Sequence, residues 1–180
     1  MKKVADVIVI GGGHAGVEAA FVAARMGAEV CLITIDTCKI GEMSCNPAIG
    51  GIGKGHIVRE IDALGGLMPI SADYAGVQFK VLNSSKGPAV RGPRCQADRN
   101  LYKSSVQHKI KKQKRLEVIN GVVKSLKIVN NQCSGVELEN GEYIYAGSVI
   151  LTTGTFLNGK IYIGNEKISA GRLKEKASKS

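Results

Sequence analysis

Glycines at three spaced positions give the chain a segment that could grip a diphosphate. The segment is Gly11-Gly12-Gly13-His14-Ala15-Gly16, and it directly follows an apolar run, Val7 to Ile10, typical of a strand covered on both faces. Gly11 permits a tight turn, Gly13 allows the backbone to approach a pyrophosphate, and Gly16 allows a helix to pack closely on the strand. The N–H groups at the start of that helix would then face the phosphates. The spacing predicts a dinucleotide-binding turn between a first strand and a first helix.

A second chemical candidate is the thiol of Cys45, which lies in a glycine-rich segment and not in an apolar run. A thiolate there, stabilised by Lys54, His56 or a helix N-terminus, could attack carbon 6 of a uracil or a flavin-bound electrophile. The alternative is a small cysteine that only fills space. The segment imitates a nucleotide P-loop but fails at two positions, because Ala48 replaces the first glycine and Gly55 replaces the Ser or Thr that holds magnesium. Its glycines could still wrap an anion or a flat ring with backbone N–H groups.

The residues after the glycine turn supply the rest of a strand–helix–strand unit. Residues 17–26 carry helix-compatible side chains without proline, and Gly27 stands where a helix C-cap belongs. Residues 29–35 then predict the second parallel strand. A carboxylate that binds an adenosine ribose usually ends such a strand, about 20 residues after the glycines. Thr34 occupies that place and Asp36 follows on the same strand face, so either side chain could serve.

The rest of the chain divides into segments that would position these residues. We predict a strand–helix–strand unit over 4–36, a Gly-rich loop over 37–55, an inserted region over 56–115, a meander and returning strand over 117–157, and a tail over 158–180. Within these, helices are predicted over 56–64 and 98–113, parallel strands over 117–119 and 148–152, a strand over 76–83, and meander strands over 122–129, 135–138 and 143–146. This order predicts an α/β fold, a Rossmann-like FAD/NAD(P)-binding domain of the glutathione-reductase type, whose parallel sheet carries a three-stranded antiparallel β-meander.

Composition and net charge limit the classes of protein to which this chain can belong. The 180 residues and 44% hydrophobic content suit one soluble α/β domain. No apolar run approaches the ~20 residues needed to cross a bilayer. The five cysteines form no CxxC pair and no metal-ligand spacing, which favours reduced thiols in the cytosol. The net charge of +10, partly concentrated over residues 109–115, indicates either a polyanionic partner or a solvated helix face.

Several segments together resemble one known family. Besides Gly11 to Gly16, they are Ser44 to His56 (SCNPAIGGIGKGH), Glu60 to Leu67, Lys86 to Arg91 (KGPAVR), Gln96 to Tyr102 (QADRNLY) and Leu151 to Leu157 (LTTGTFL). They resemble the MnmG flavoproteins of tRNA wobble-uridine modification, also called glucose-inhibited division protein A. The resemblance covers nearly the whole chain, and the segment around Cys45 is far more specific than a dinucleotide fingerprint.

The resemblance implies a cytoplasmic bacterial or organellar enzyme that binds FAD, uses NADH as reductant and is a homodimer when complete. With a GTPase partner of the MnmE type, such enzymes install an aminomethyl or carboxymethylaminomethyl group on carbon 5 of the tRNA wobble uridine, with a one-carbon unit from methylenetetrahydrofolate. NAD chemistry, tRNA binding and GTPase contact are therefore expected of the complete protein.

The resemblance also assigns roles to single positions. Cys45 aligns with a family cysteine proposed to act in catalysis. Val123 would contact the adenine end of FAD through its backbone, and Ser178 would be another FAD contact. The residues that would hold the FAD diphosphate are Gly11, Gly12, Gly13, His14, Ala15 and Gly16. Apart from the family's own contacts, we predict that the basic residues Arg91, Arg94 and Arg99 contact tRNA phosphates or the cofactor.

Family members are much longer than 180 residues, so the resemblance implies that this chain is the N-terminal part of one. The rest would supply an NADH-binding insertion, a second catalytic cysteine, a closing FAD segment and a helical C-terminal domain that docks the GTPase. An incomplete sheet exposes apolar surface, so poor solubility or association is expected. Three alternatives stay open: an FAD-binding fragment without activity, a related folate-dependent tRNA uridine methyltransferase, and another FAD or NAD oxidoreductase acting on small molecules.

Overall fold

Four helices and twelve strands make up the part of the chain that the computed structural model describes, residues 3–172 and 175–176. The helices are α1 (His14–Arg25), α2 (Lys54–Ala63), α3 (Leu67–Ala75) and α4 (Arg99–Lys112). The strands are β1 (Lys3–Ile10), β2 (Val30–Thr34), β3 (Ala48–Gly50), β4 (Gly76–Leu82), β5 (Gly92–Ala97), β6 (Leu116–Asn120), β7 (Val123–Val129), β8 (Gln132–Leu138), β9 (Tyr143–Leu151), β10 (Lys160–Ile163), β11 (Glu166–Arg172) and β12 (Glu175–Lys176). Among the helices described, none is long and apolar enough to cross a membrane.

The largest sheet has six strands in the order β6-β2-β1-β9-β8-β7. Strands β6, β2, β1 and β9 run parallel, whereas β9, β8 and β7 are antiparallel neighbours. Parallel strands are usually covered on both faces, which agrees with the continuous apolar runs of β1 and β2. A second sheet, β3-β5-β4, is entirely antiparallel, and a third consists of β10-β11-β12. The predicted α/β fold with a mixed sheet is confirmed.

The two faces of the parallel sheet bury two separate hydrophobic clusters. Side chains alternate along β1, so Val9 belongs to one cluster and its neighbours Ile8 and Ile10 belong to the other. The Val9 cluster contains buried residues of α1, α3 and α4. The Ile8 cluster contains Val136 and Ile144 of the meander. The helices and the meander therefore cover opposite faces, and the glycine turn lies at the sheet edge between these two layers.

Residues 37–55 do not form a continuous loop, so that prediction is wrong. They contain a short 3-10 helix (Thr37–Lys39), strand β3 and the first residues of α2. Strand β3 pairs with β5, and only Ile49 of its three residues is buried. Three residues are too few to show an apolar alternation, so the sequence carries no periodic signal for this strand.

Helix α3 and strand β5 were not predicted from the sequence either. Strand β5 begins at Gly92-Pro93, a pair typical of turns, and Pro69 is the third residue of α3. Proline is tolerated in the first helical turn because the missing N–H would have no intrahelical partner there. The Glu18 carboxylate of α1 accepts hydrogen bonds from the N–H groups of Leu67, at 2.8 Å, and of Met68. A cap supplied from 49 positions away leaves no local sequence signal.

The meander and the returning strand share one continuous strand. The first residues of β9 pair with β8, and the ladder to β1 extends from Lys3 opposite Ile144 to Ile10 opposite Leu151. The predicted division into separate strands over 143–146 and 148–152 is wrong, because the ladder continues on both sides of Gly147. One strand therefore joins the meander to the parallel sheet and ends beside the glycine turn.

Candidate functional site

Two glycines bring β1, α1 and the end of β9 into direct backbone contact. Gly11 has a φ of +111°, and a Cβ there would lie 2.4 Å from the carbonyl oxygen of Thr152. At Gly16, a Cβ would lie 1.9 Å from the carbonyl oxygen of Gly11. Both distances are far below van der Waals contact. A larger residue at Gly11 would push the end of β9 away from β1, and one at Gly16 would push α1 away from the turn. These two positions need glycine for the fold itself.

Gly13 differs from these two because the protein leaves open space beside it. It is the N-cap of α1 with an extended backbone (φ −73°, ψ −178°), and it provides no side-chain cap. A Cβ there would meet no other part of the described structure within 4 Å. Gly13 and Ala15 are both exposed. A diphosphate fits this helix start, because the backbone N–H groups and the helix dipole both favour phosphate oxygens.

The side chain of His14 is directed toward α4. The centroids of the His14 and Tyr102 rings are 5.6 Å apart. Tyr102 is 1% exposed, and burial, with a smaller contribution from the charge of Glu18, raises the pKa of its phenol. The imidazole of His14 therefore has a packing partner in the core, while its backbone forms the first residue of α1.

Thr152 completes the turn and was missed by sequence reasoning. Its hydroxyl donates a hydrogen bond to the carbonyl oxygen of Ile10 at 2.7 Å, and its backbone N–H donates to the same oxygen at 2.9 Å. Its Oγ1 would also lie 2.6 Å from a Cβ at Gly16. These contacts fix the end of β9 to the end of β1. The available signal was a hydroxyl residue placed directly after an apolar strand.

The carboxyl end of β2 holds both candidates for a ribose contact. Thr34 lies against the turn, since a Cβ at Gly12 would be 2.8 Å from its Oγ1. One carboxylate oxygen of Asp36 accepts a hydrogen bond from the N–H of Cys38 at 2.8 Å and caps the short 3-10 helix. Asp36 therefore has a structural task as well as a place at this end of the sheet.

Val123 lies at the start of β7, close to the same end of β2. The N–H of Gly121 donates to the carbonyl oxygen of Thr34 at 2.9 Å. Val123 pairs with Leu138 and packs against the cluster that contains Ile33. The structure thus brings Val123 to the side of the turn where the adenosine half of a dinucleotide usually lies.

Cys45 is exposed, and two cationic residues lie near it. The Arg99 guanidinium donates a hydrogen bond to the carbonyl oxygen of Cys45. The ammonium of Lys54 donates to the carbonyl oxygen of Ala48 at 3.2 Å. Burial lowers the pKa of Lys54, a negative charge on Cys45 would raise it, and the charge of Arg94 lowers it. Lys54 is therefore a cation that the fold brings into electrostatic contact with Cys45.

The glycines that follow Cys45 shape the connection from β3 to α2. Gly50 has a φ of +109°, and a Cβ there would lie 2.1 Å from the carbonyl oxygen of Pro93. The N–H of Gly51 donates to that same oxygen at 2.9 Å, and the N–H of Gly55 donates to the carbonyl oxygen of Gly51 at 2.8 Å. At least two N–H groups of this segment are therefore used inside the protein. The segment is a tight strand-to-helix turn more than an open anion cradle.

Helix α4 joins the glycine turn to the Cys45 segment. Arg99 is its first residue and holds the Cys45 carbonyl, while Tyr102 lies three residues later and contacts the ring of His14. Residues three apart lie on the same helix face. The structure therefore places both candidate regions along one face of one helix.

The remaining predicted positions are Ser178, Arg91, Arg94 and Arg99, and Arg94 lies on β5 opposite Gly50 of β3 and Lys80 of β4. Ser178 lies outside the described residues. Arg91 donates to the carbonyl oxygen of Lys86 at 3.2 Å, so it stabilises its own turn, and Arg99 contacts Cys45. Within the described residues, no group of His, Cys, Asp or Glu side chains could hold a metal ion, and all five cysteines are free thiols.

A cleft of about 300 Å³ lies at the opposite end of the parallel sheet. Its lining includes Val4, Glu29, Arg115 and Glu117, at the amino ends of β1, β2 and β6. Ligands of open α/β sheets bind outside the carboxyl ends of the strands. The glycine turn, and not this cleft, therefore occupies the position expected of a dinucleotide site.

Comparisons with known proteins identify the family and match nearly the whole chain. A family profile described as Glucose inhibited division protein A matches residues 6–180. A protein from Zymomonas mobilis named tRNA uridine 5-carboxymethylaminomethyl modification enzyme MnmG is 53% identical over 178 residues, which are 99% of this chain and 29% of that protein.

Solved structures support both the family and the fold. GidA from Aquifex aeolicus superposes with a TM-score of 0.93 at 50% identity, covering 98% of this chain and 29% of that one. A structure of PqsL from Pseudomonas aeruginosa, described as a probable FAD-dependent monooxygenase, has a TM-score of 0.58 at 18% identity and covers 82% of this chain and 42% of that one, which shows a shared fold alone. The chain thus spans about 29% of the length of the curated relative it matches. The matched residues and the fold together show that it belongs to the glucose inhibited division protein A family, of which it represents the amino-terminal portion.

Proposed function

We propose that this chain is the FAD-binding part of a flavoenzyme that, with a GTPase partner of the MnmE type, adds a (carboxymethyl)aminomethyl group to carbon 5 of the tRNA wobble uridine. The observation that carries the proposal is the open start of α1 at Gly13, in a chain 53% identical to a protein named for this modification. A cytoplasmic location, NADH as reductant, methylenetetrahydrofolate as carbon donor and a homodimer in the complete protein belong to the same proposal.

In this proposal the FAD diphosphate lies against Gly11 to Gly16. The start of α1 supplies N–H groups and the positive end of its dipole. Val123 contacts the adenine end through its backbone, Asp36 or Thr34 binds the ribose, and Ser178 adds a further contact. When bound, the flavin supplies the redox chemistry of the reaction. The chain's own part is to bind that group at the carboxyl ends of β1 and β2 and to hold Cys45 nearby.

Cys45 serves as the nucleophile in this proposal. Its thiolate would add to carbon 6 of the uracil ring, and the displaced π electrons would make carbon 5 a nucleophilic enolate carbon, where the new carbon bond forms. Loss of the carbon 5 proton would then break the C6–S bond, restore the ring double bond and release the thiolate. Arg99 supports this role because it holds the Cys45 carbonyl and so limits movement of the nucleophile's backbone. Lys54 supports it because its charge interacts with that of a thiolate at Cys45.

The test uses the complete protein that contains this chain. We expect it to purify with yellow flavin absorbance and, with the GTPase, to modify tRNA wobble uridine. Cys45→Ser should keep the flavin and lose modification by at least about a hundredfold, because the nucleophile is removed. Cys38→Ser is the matched control, since Cys38 is also an exposed free thiol, and it should keep both properties.

Two outcomes would contradict the proposal at different levels. A complete protein that neither carries nor takes up flavin would refute the cofactor assignment and the enzymatic function with it. A Cys45→Ser protein that keeps full modification activity would refute only the nucleophile assignment.

The second candidate is an FAD-binding fragment without activity. The length of the match favours this candidate, since the chain spans only 29% of its curated relative. Reconstitution of the 180-residue chain with FAD and tRNA distinguishes the two, because the fragment hypothesis predicts flavin binding with no modified uridine.

A further inference from the structure

The small sheet β3-β5-β4 has one face turned away from the helices. Cys95 of β5 is 7% exposed and belongs to the helix-side cluster, together with Ile49 of β3. Because side chains alternate along a strand, Arg94 and Gln96 of β5 point to the opposite face. Strand pairing places Lys80 of β4 directly across from Arg94. This outward face therefore carries two cations on adjacent strands.

Two like charges at directly opposed strand positions destabilise a sheet unless something compensates them. The ion pairs found among the described residues join Lys103 to Glu42, Arg115 to Glu29 and Lys124 to Glu137, and none involves Lys80 or Arg94. Within the described residues, the side chains of Lys80 and Arg94 also donate no hydrogen bond to a protein acceptor. Within residues 3–172, Asp73 lines the same cavity as Lys80 and Arg94 but forms no ion pair with either of them.

A third cation lies beside the same face. The ammonium of Lys54 donates to the carbonyl oxygen of Ala48 in β3, and the charge of Arg94 contributes to lowering the pKa of Lys54. Gly50 of β3 is the residue opposite Arg94, so β3 places no side chain directly beside Arg94. We name Lys54, Lys80 and Arg94 the cationic face. It lies near Cys45, because the Lys54 ammonium bonds to the carbonyl oxygen of Ala48, three residues after Cys45.

We propose that the cationic face binds backbone phosphates of the RNA that carries the target uridine, beside Cys45. This inference rests on the proposed function. Adjacent strands are about 4.8 Å apart, so Lys80 and Arg94 can contact one phosphate or two successive ones. Lys80 is exposed and Arg94 is half-buried, and cations on adjacent strands suit the repeated phosphates of a polyanion. In the proposed function the cofactor diphosphate lies at the start of α1, which follows a strand of the six-stranded sheet and not of β3-β5-β4.

The experiment measures tRNA affinity and flavin content of the complete protein over a range of salt concentrations. Lys80→Gln and Arg94→Gln should each weaken tRNA binding about fivefold to tenfold and lower the slope of log affinity against log salt by about 0.7 to 1, with the flavin retained. Arg94→Lys should keep the wild-type slope, since the charge is kept. Lys167→Gln is the matched control, because Lys167 is an exposed lysine of β11 whose ammonium lies over the Tyr162 ring.

Each outcome decides the inference. If the wild-type protein binds tRNA and the two glutamine variants bind it equally well, the cationic face has no part in RNA binding. If these variants lose flavin and keep tRNA affinity, the face serves the cofactor and the inference is wrong. If the wild-type protein binds FAD but no tRNA at all, the proposed function is refuted, and this inference, which depends on it, is refuted as well.

Discussion

The glycines of the turn between β1 and α1 are required for two different physical reasons. Gly11 and Gly16 are required because backbone atoms lie within 1.9 to 2.4 Å of where their Cβ atoms would stand. Gly13 faces open space, so nothing in the described part of the chain requires glycine there, and a ligand at this helix start would. Substitutions at Gly11 and Gly16 should therefore affect the fold, whereas substitutions at Gly13 should affect the proposed cofactor contact.

Substitution of Gly13 tests the cofactor contact without damaging the fold. Aspartate is a favoured N-cap residue, and a negative charge at a helix start is stabilising, so Gly13→Asp should leave the unfolding temperature of the flavin-free protein unchanged or slightly higher. The same carboxylate would repel a diphosphate, and FAD should bind at least about tenfold more weakly. FAD titration and thermal unfolding of the complete protein measure the two effects.

Two further variants control for shape and for packing. Gly13→Asn has the same shape without the charge and should bind FAD better than Gly13→Asp. Gly16→Ala should instead destabilise the protein by about 1 to 3 kcal/mol or more, because its Cβ would overlap the Gly11 carbonyl. Normal FAD affinity in Gly13→Asp would rule out a diphosphate at this helix start.

Among the elements, α3 depends on a carboxylate from another helix. Glu18 of α1 accepts hydrogen bonds from Leu67 and Met68, the first two N–H groups of α3. Glu18→Ala should destabilise α3 by about 1 to 3 kcal/mol, since two part-buried donors would lose their acceptor. Amide hydrogen exchange should then become faster along α3. The control is Glu29→Ala, which removes only an exposed ion pair to Arg115 worth about 0 to 1 kcal/mol. Unchanged exchange in α3 would show that Glu18 is not its cap.

Elements with a local signal could be predicted from the sequence, and elements held by distant partners could not. The β1–turn–α1–β2 unit shows its apolar runs and glycines within a few residues. A parallel strand over 117–119 was predicted from one short apolar run, and the structure pairs it with β2. Strand β3 owes its existence to pairing with β5, and α3 is capped from α1. Thr152 acts through β1, which is about 140 positions away in the sequence. These contacts become visible only once the chain is folded.

The molecule as a whole exposes one strand that carries three apolar side chains on one face. Val77, Phe79 and Val81 of β4 are 68%, 62% and 53% exposed, and β4 is the edge of its sheet. An exposed apolar edge strand favours association between chains. The rest of a longer relative, of which this chain matches 29%, offers material that could cover such a face. The 180-residue chain by itself therefore has a specific reason to associate.

We expect the isolated chain to self-associate through this strand, in a way that depends on concentration. Val77→Lys combined with Val81→Lys adds charge to the edge and removes apolar area, so the dissociation constant should rise at least about tenfold. Met26→Lys is the matched control, because Met26 is 82% exposed but lies at the end of α1, away from β4. Sedimentation velocity over a concentration series measures the effect. If the unmodified chain stays monomeric throughout, β4 does not drive association. If Met26→Lys raises the dissociation constant as much as the double variant, β4 is not the associating surface, because the effect of the added charge would not depend on its position.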